Sequence, residues 1–399
     1  MIKQVIIAAA SAAPVMLTAG WAYPAGMTAS ADRVSDLVTG TGADLPRRVT
    51  PTGAAVWAGT SIKVGRDAFG IAITPDGKTA YVANQGSGTV TPIRIATNTA
   101  LKPIKVGRGP VSVAITLHGK TAYVANAGSD TVTPIHVADN RAGKAIKVGC
   151  SPAQIVFTPD GKTAYVDDSC SNAVTPIRTA TNTALRAIRV GSAPVWIAIT
   201  PDGKTVYAAN FLSGTVTPIR TATNKALRPI KVGRGPDAIV ITPNGATAYV
   251  ANQVSRTVTP IRTATNTALR AIRTGGAFDV AITPDGRTVY VSNFFGTTVI
   301  PIRTSTNTTL KPIKVGRAPF DLAITPDGKT VYAPNSGSGT VTPIRTRTNR
   351  VLKPVRVGRD PTFIAITPDG KTAYVANSGS GTVTPIRTRN NKVLTAIKA

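Results

Sequence analysis

The stretch from Ile71 to Gly107, IAITPDGKTAYVANQGSGTVTPIRIATNTALKPIKVG, returns with small changes to the end of the chain. Tyr81, Tyr123, Tyr165, Tyr207, Tyr249, Tyr290, Tyr332 and Tyr374 mark one place in each copy, at intervals of 42, 42, 42, 42, 41, 42 and 42 residues. A fixed period of this size signals an array of supersecondary units, each stacked on its neighbours. Inside the unit, runs of Val, Ile, Thr and Tyr are cut by turn residues, and no helical period is sustained. The unit therefore reads as four short strands. Strand a is Ile71–Ile73, strand b Thr79–Ala83 closed by Asn84, strand c Thr89–Ile95 and strand d Leu101–Val106. The Thr74-Pro75-Asp76-Gly77 turn joins a to b, with Pro where φ of about −65° is wanted and Gly where φ turns positive.

Four strands in each repeat predict an all-β fold, a β-propeller of eight four-stranded blades, with seven blades and a leftover unit as the alternative. Ser61–Gly65, SIKVG, is a further strand-d sequence ahead of the first unit. It is expected to close the ring against the last blade, displacing or flanking a final strand at Val393–Lys398. Pro92 and its counterparts fall inside strand c, where Pro removes a ladder bond, so a bulge is expected there.

Tyr81-Val82-Ala83-Asn84, Thr97-Asn98, Val106-Gly107, Pro110 and the Pro75-Asp76-Gly77 turn resemble the YVTN β-propeller repeat family of secreted prokaryotic proteins, across roughly residues 62–399. The resemblance implies a propeller at the cell surface or in the periplasm, and no particular chemistry. The chain departs from the family pattern at Ala83, where the family has Thr, and at Asp168, which replaces Asn in the third unit. Its TPIR segment carries Arg where the family often has Asp.

Residues 1–31 read as a secretory signal, with Lys3 ahead of the apolar run Val5–Leu17. Residues 32–60 read as a flexible polar linker and 61–399 as the propeller. A secreted or cell-envelope protein follows, monomeric and without a transmembrane span when mature. Cys150 and Cys170 fall in loops expected on one face, either bridged or as two unpaired thiols; export favours the bridge. The two histidines, His118 and His136, fall in different parts of the unit, and no Glu is present. This pattern offers no triad, no metal cluster and no phosphate loop, so no cofactor or metal is expected and catalytic residues stay unassigned.

The formal charge of +28 recurs at fixed places in the repeat, with a cation ending strand c and two more on strand d. Such cations blunt exposed strand edges. They would also attract a polyanion, such as a wall polymer or nucleic acid, to a basic rim.

Departures from the repeat collect in the d–a and b–c loops, which a propeller places on one face. The expected ligand site is Trp196, Phe211, Phe278, Asp279, Phe294, Phe295, Arg317, Phe320 and Asp321. Aromatic rings would stack on a small molecule or glycan, Asp would accept hydrogen bonds, and Arg would grip an anion. Three functions fit. One is a binding module acting through this face. Another is a hydrolase or lyase using paired carboxylates, Asp279 with Asp321 or Asp167 with Asp168. The third is a wall-associated structural protein held by its rim.

Overall fold

The computed structural model describes residues 61–395. The expected signal peptide, the linker and residues 396–399 lie outside the described residues, so the final strand is seen only as Lys392–Val393. Eight antiparallel sheets, each in the order a-b-c-d, form the ring, and the seven-bladed alternative is dropped. In the first blade, strand a is Ala68–Ile73, b is Thr79–Asn84 and c is Thr89–Arg94. Strand d is two short pieces, Thr99–Ala100 and Ile104–Lys105, instead of the continuous run expected. No helix among the described residues is long and apolar enough to cross a membrane.

The expected bulge in strand c is corrected by the register. Strands b and c pair without a break from Thr79↔Arg94 to Asn84↔Thr89, with Tyr81 opposite Pro92. Strand d is what breaks. Thr99–Ala100 pairs with the end of strand c and Ile104–Lys105 with its start. No strand-d residue pairs with Pro92, which has no N–H to offer. The proline carbonyl is still used, because Leu101 N–H donates to it at 2.8 Å.

The marker tyrosines explain themselves in the assembled ring. Each is at most 1% exposed. Each hydroxyl donates to an asparagine in the c–d turn of the next blade: Tyr81 to Asn140 Oδ1 at 2.7 Å, Tyr207 to Asn266 Oδ1 at 2.7 Å, and so on around the ring. Tyr374 of the last blade donates to Asn98 Oδ1 of the first at 2.6 Å, completing the circle. Asn98 turns the chain with φ of 53°, a conformation Asn tolerates better than most residues. One asparagine thus makes the turn and receives the neighbouring blade.

The ring is also closed by strand exchange. Ile62–Lys63 pairs with Thr382–Val383, while Lys392–Val393 pairs with Ile386–Arg387. The segment takes the strand-d place opposite the start of strand c, beside the described piece Lys392–Val393. It supplies the half of strand d that the chain's own end supplies in no described residue. Between blades, apolar faces meet: Ala72, Tyr81 and Val90 of the first pack with Val113, Ile115 and Val124 of the second. Sheets covered on both faces need no polar alternation, which is why the apolar runs scarcely alternate.

Candidate functional site

The d–a and b–c loops emerge together at one end of the ring, here called the top. In the first blade Gln85 N–H donates to Asp67 O at 3.0 Å and Gly86 N–H to Arg66 O at 3.2 Å. In the third blade the same two loops carry the Cys150–Cys170 disulfide, with Cα atoms 5.3 Å apart, within the usual range for such bridges. The reading with two free thiols is therefore dropped.

The second residue of the b–c loop separates the blades into two sets. It is glycine in the first, second, seventh and eighth, at Gly86, Gly128, Gly337 and Gly379. A Cβ at Gly86 would lie 2.1 Å from Asp67 Oδ2, and one at Gly379 would lie 2.2 Å from Asp360 Oδ2. The middle blades have Cys170, Leu212, Val254 and Phe295 instead. Among the described residues, the large exposed hydrophobics are Leu212 at 55%, Val254 at 43% and Phe295 at 66%. All three occupy this loop position in three consecutive blades, the fourth to the sixth. Phe211 joins them half-buried, and a Cβ at Gly235 would meet Val254 Cγ2 at 2.6 Å and Phe211 Cε2 at 3.2 Å. Arg234 and Arg256 are exposed in the loops of the fifth blade.

A second aromatic group lies at the entry of strand a. Phe278 stacks on Phe294 with centroids 4.9 Å apart, and Phe320 meets Phe278 edge-on at 5.2 Å. Phe320 also meets Phe363 at 5.2 Å, and Phe363 meets Phe69 at 4.7 Å. The contact of Phe69 with Phe320 at 6.1 Å joins the first blade to the seventh, past the eighth between them. Phe278, Phe320, Phe363 and Phe69 are all buried, so these rings pack on one another. Phe294 bridges them to exposed Phe295, at 5.3 Å.

Of the expected site residues, Phe278, Phe294, Phe295 and Phe320 come together. Trp196 does not. It is 4% exposed in the core between the fourth and fifth blades, and its Nε1–H donates to Ile239 O at 3.1 Å. With its polar edge satisfied and its ring enclosed, it acts as a core residue, and the expectation of a ligand contact there is corrected. Arg317 is exposed, with its guanidinium donating to Gly337 O at 3.0 Å, so it braces its own loop.

Asp279 and Asp321 are both 3% exposed. Leu322 N–H donates to Asp279 Oδ2 at 2.9 Å, and Ile364 N–H donates to Asp321 Oδ2 at 3.0 Å. Each carboxyl thus receives a backbone group from the following blade, where strand a is short or irregular and leaves that N–H unpaired. Burial, then the charge of Asp321, holds the Asp279 carboxyl well above the usual range. The other expected pair is buried too. Asp167 takes the Gln154 N–H and Asp168 takes the Thr175 hydroxyl. Burial pushes Asp168 up to about 7 and Asp167 well above the usual range.

Sequence reasoning missed Leu212 and Val254 as candidates, although comparing the second loop position between repeats would have found them. It also gave Asp237 no role. Asp237 is fully buried with no hydrogen bond to either carboxyl oxygen, and desolvation pushes it up to about 8.

Fold and site together define a β-propeller with one chemically distinct arc on its top face. Comparison with known proteins agrees at that level. A model of YNCE-like beta-propellers matches residues 278–379, and a model of the lactonase seven-bladed beta-propeller matches residues 112–269. Both are propeller families; neither is the YVTN repeat. No curated protein matches. Among solved structures, hydrazine synthase of Kuenenia stuttgartiensis is 26% identical with a TM-score of 0.60, over 84% of this chain and 99% of that one. The dihydro-heme d1 dehydrogenase NirN, in complex with DHE, is 14% identical with a TM-score of 0.64, over 74% and 67%. A functionally unknown protein from Desulfotomaculum acetoxidans is 19% identical with a TM-score of 0.58, over 75% and 99%.

Proposed function

We propose that this protein is an exported binding propeller that recognises its ligand through the top loops of the fourth, fifth and sixth blades. The observation that carries the reading is the confinement of large exposed apolar side chains, among the described residues, to Leu212, Val254 and Phe295. Four other blades have glycine at that position, so the apolar residues are not demanded by the repeat. Exposed Arg234 and Arg256 beside them favour a ligand that joins an apolar or sugar-ring face to an anionic group. The NirN structure holds a ligand, but at 14% identity only the likeness of fold carries over. A disulfide suits an oxidising compartment, in keeping with export.

The test uses a triple variant, Leu212→Gly, Val254→Gly and Phe295→Gly, which restores the glycine of the other blades. The anionic apolar dye anilinonaphthalene sulfonate serves as the first probe, followed by glycan and metabolite arrays. Wild-type protein is expected to bind the dye in the folded state and the variant to lose most of that binding. Losing one such side chain from a contact costs ~1.5–3 kcal/mol, or roughly a ten- to hundredfold drop in affinity. Equal binding of dye and array ligands by both proteins would end the proposal.

A further inference from the structure

Every complete blade carries two cations on strand d, on either side of a buried apolar residue. In the first blade Lys102 and Lys105 are exposed about buried Ile104, and in the fifth Arg270 and Arg273 about buried Ile272. From the first blade to the seventh, the second piece of each strand d packs beside the first piece of the next blade's, and Ile62–Lys63 packs beside Thr99–Ala100, so the outer wall runs on from blade to blade. Acid is nearly absent from it. Among the described residues, the aspartates outside the top face are Asp139 and those of the Pro-Asp-Gly turns. All six ion pairs are Asp–Lys or Asp–Arg contacts inside those turns, such as Asp76–Lys78 at 3.8 Å. The wall cations therefore have no carboxylate partner. These cations blunt the strand edges, and unpaired they also leave the wall with a charge of one sign.

We infer that this outer wall is a belt that binds a flexible anionic polysaccharide along its length. The chemistry follows from what the wall has and lacks. Repeated single-sign charge attracts a polyanion by releasing its counterions. Among the described residues the exposed large hydrophobics all lie on the top face, and the described wall has no aromatic platform on which nucleotide bases could stack. Its surface is convex, and a domain of this size has a radius of gyration of about 20 Å. Duplex DNA, with a persistence length of about 500 Å, bends around such a body only at a cost of several kcal/mol. A flexible polyuronate follows the curve without that cost. This belt is independent of the top-face arc.

The experiment measures binding of the full chain to sodium polygalacturonate over a salt series, with duplex DNA of matched charge and neutral dextran alongside. Wild-type protein is expected to bind polygalacturonate with a steep inverse dependence on salt, and dextran not at all. Changing the first strand-d cation of six blades, Lys102, Lys144, Arg186, Arg228, Arg270 and Lys311, to Gln is expected to cut the log–log salt slope by about half. Changing the ion-paired turn cations, Lys78, Lys162, Lys204, Arg287, Lys329 and Lys371, to Gln controls for net charge and is expected to leave the slope near wild type. Equal losses from the two sets would show a response to net charge alone and overturn the belt. So would tighter binding of duplex DNA than of polygalacturonate, or no binding of polygalacturonate at low salt.

Discussion

Replacing Asp237 with valine should stabilise the protein, and increasingly so as the pH rises. Val111 and Val195 hold the same place on strand a in the second and fourth blades, both buried, so a valine fits the register. Asp237 is fully buried with both carboxyl oxygens unpartnered. Burial lifts its native pKa to about 8, whereas an unfolded aspartate titrates near about 3.9. Between those values the native state binds one more proton than the unfolded state. Stability therefore falls as pH rises, by about 1.4 kcal/mol per pH unit for this group, and the loss is complete above about pH 8. Valine removes the term. The stability difference between variant and wild type should grow by about 4 kcal/mol from pH 5 to pH 8. Even at pH 5 the variant should gain ~1–3 kcal/mol, because an unpaired buried polar group is removed. Urea unfolding of both proteins at the two pH values measures this directly. Asp168, Asp167 and Asp279 titrate in both proteins and cancel in the difference. An equal difference at the two pH values, or a variant less stable at pH 8, would refute the reasoning.

Four further outcomes follow from the structure. Tyr374→Phe removes the bond that closes the circle and leaves buried Asn98 Oδ1 without its donor, which should cost ~1–3 kcal/mol in thermal or urea unfolding. Tyr374→Phe combined with Asn98→Ala should cost less than the sum of the two single changes if the bond is shared as described. Ile62→Asp places a charge at a position 5% exposed and breaks the pairing with Val383; limited proteolysis should then cut first in the eighth blade. Exchanging Cys150 and Cys170 for serine should lower stability by ~3 kcal/mol and leave the circular dichroism of the sheet unchanged.

The fold was legible because the repeat is regular. A period near 42 with one Pro-Asp-Gly turn in most units admits few architectures, and the spare SIKVG segment pointed to closure against the last blade while leaving open whether it displaces or flanks the final strand. What strand d does opposite Pro92 was not legible, because a missing donor can be accommodated by a bulge in one strand or a gap in its partner. Only pairing with both neighbours decides between them. The proposed site was legible only at Phe211 and Phe295. Departure from the repeat also singled out Phe278 and Phe320, which are buried against other rings, because departure alone does not tell a residue that faces solvent from one that fills a seam. Trp196 departs as strongly as any of them and is core. The acids failed for a related reason: Asp279 and Asp321 answer irregularities in the strand a of the next blade, a defect that no local pattern announces.

The broken outer strand has a consequence for how such a chain survives its own synthesis. Neighbouring units are nearly identical, so a half-made molecule displays strands that would pair as readily with another molecule's units as with its own. The last strand laid down in each sheet is the one such a stranger would copy. Here that strand is two fragments, Thr99–Ala100 and Ile104–Lys105, separated where Pro92 offers no hydrogen. An incoming strand finds no unbroken row of donors and acceptors to continue, and it meets two lysines or arginines at each attempt. The proline in strand c thereby sets where each sheet stops growing.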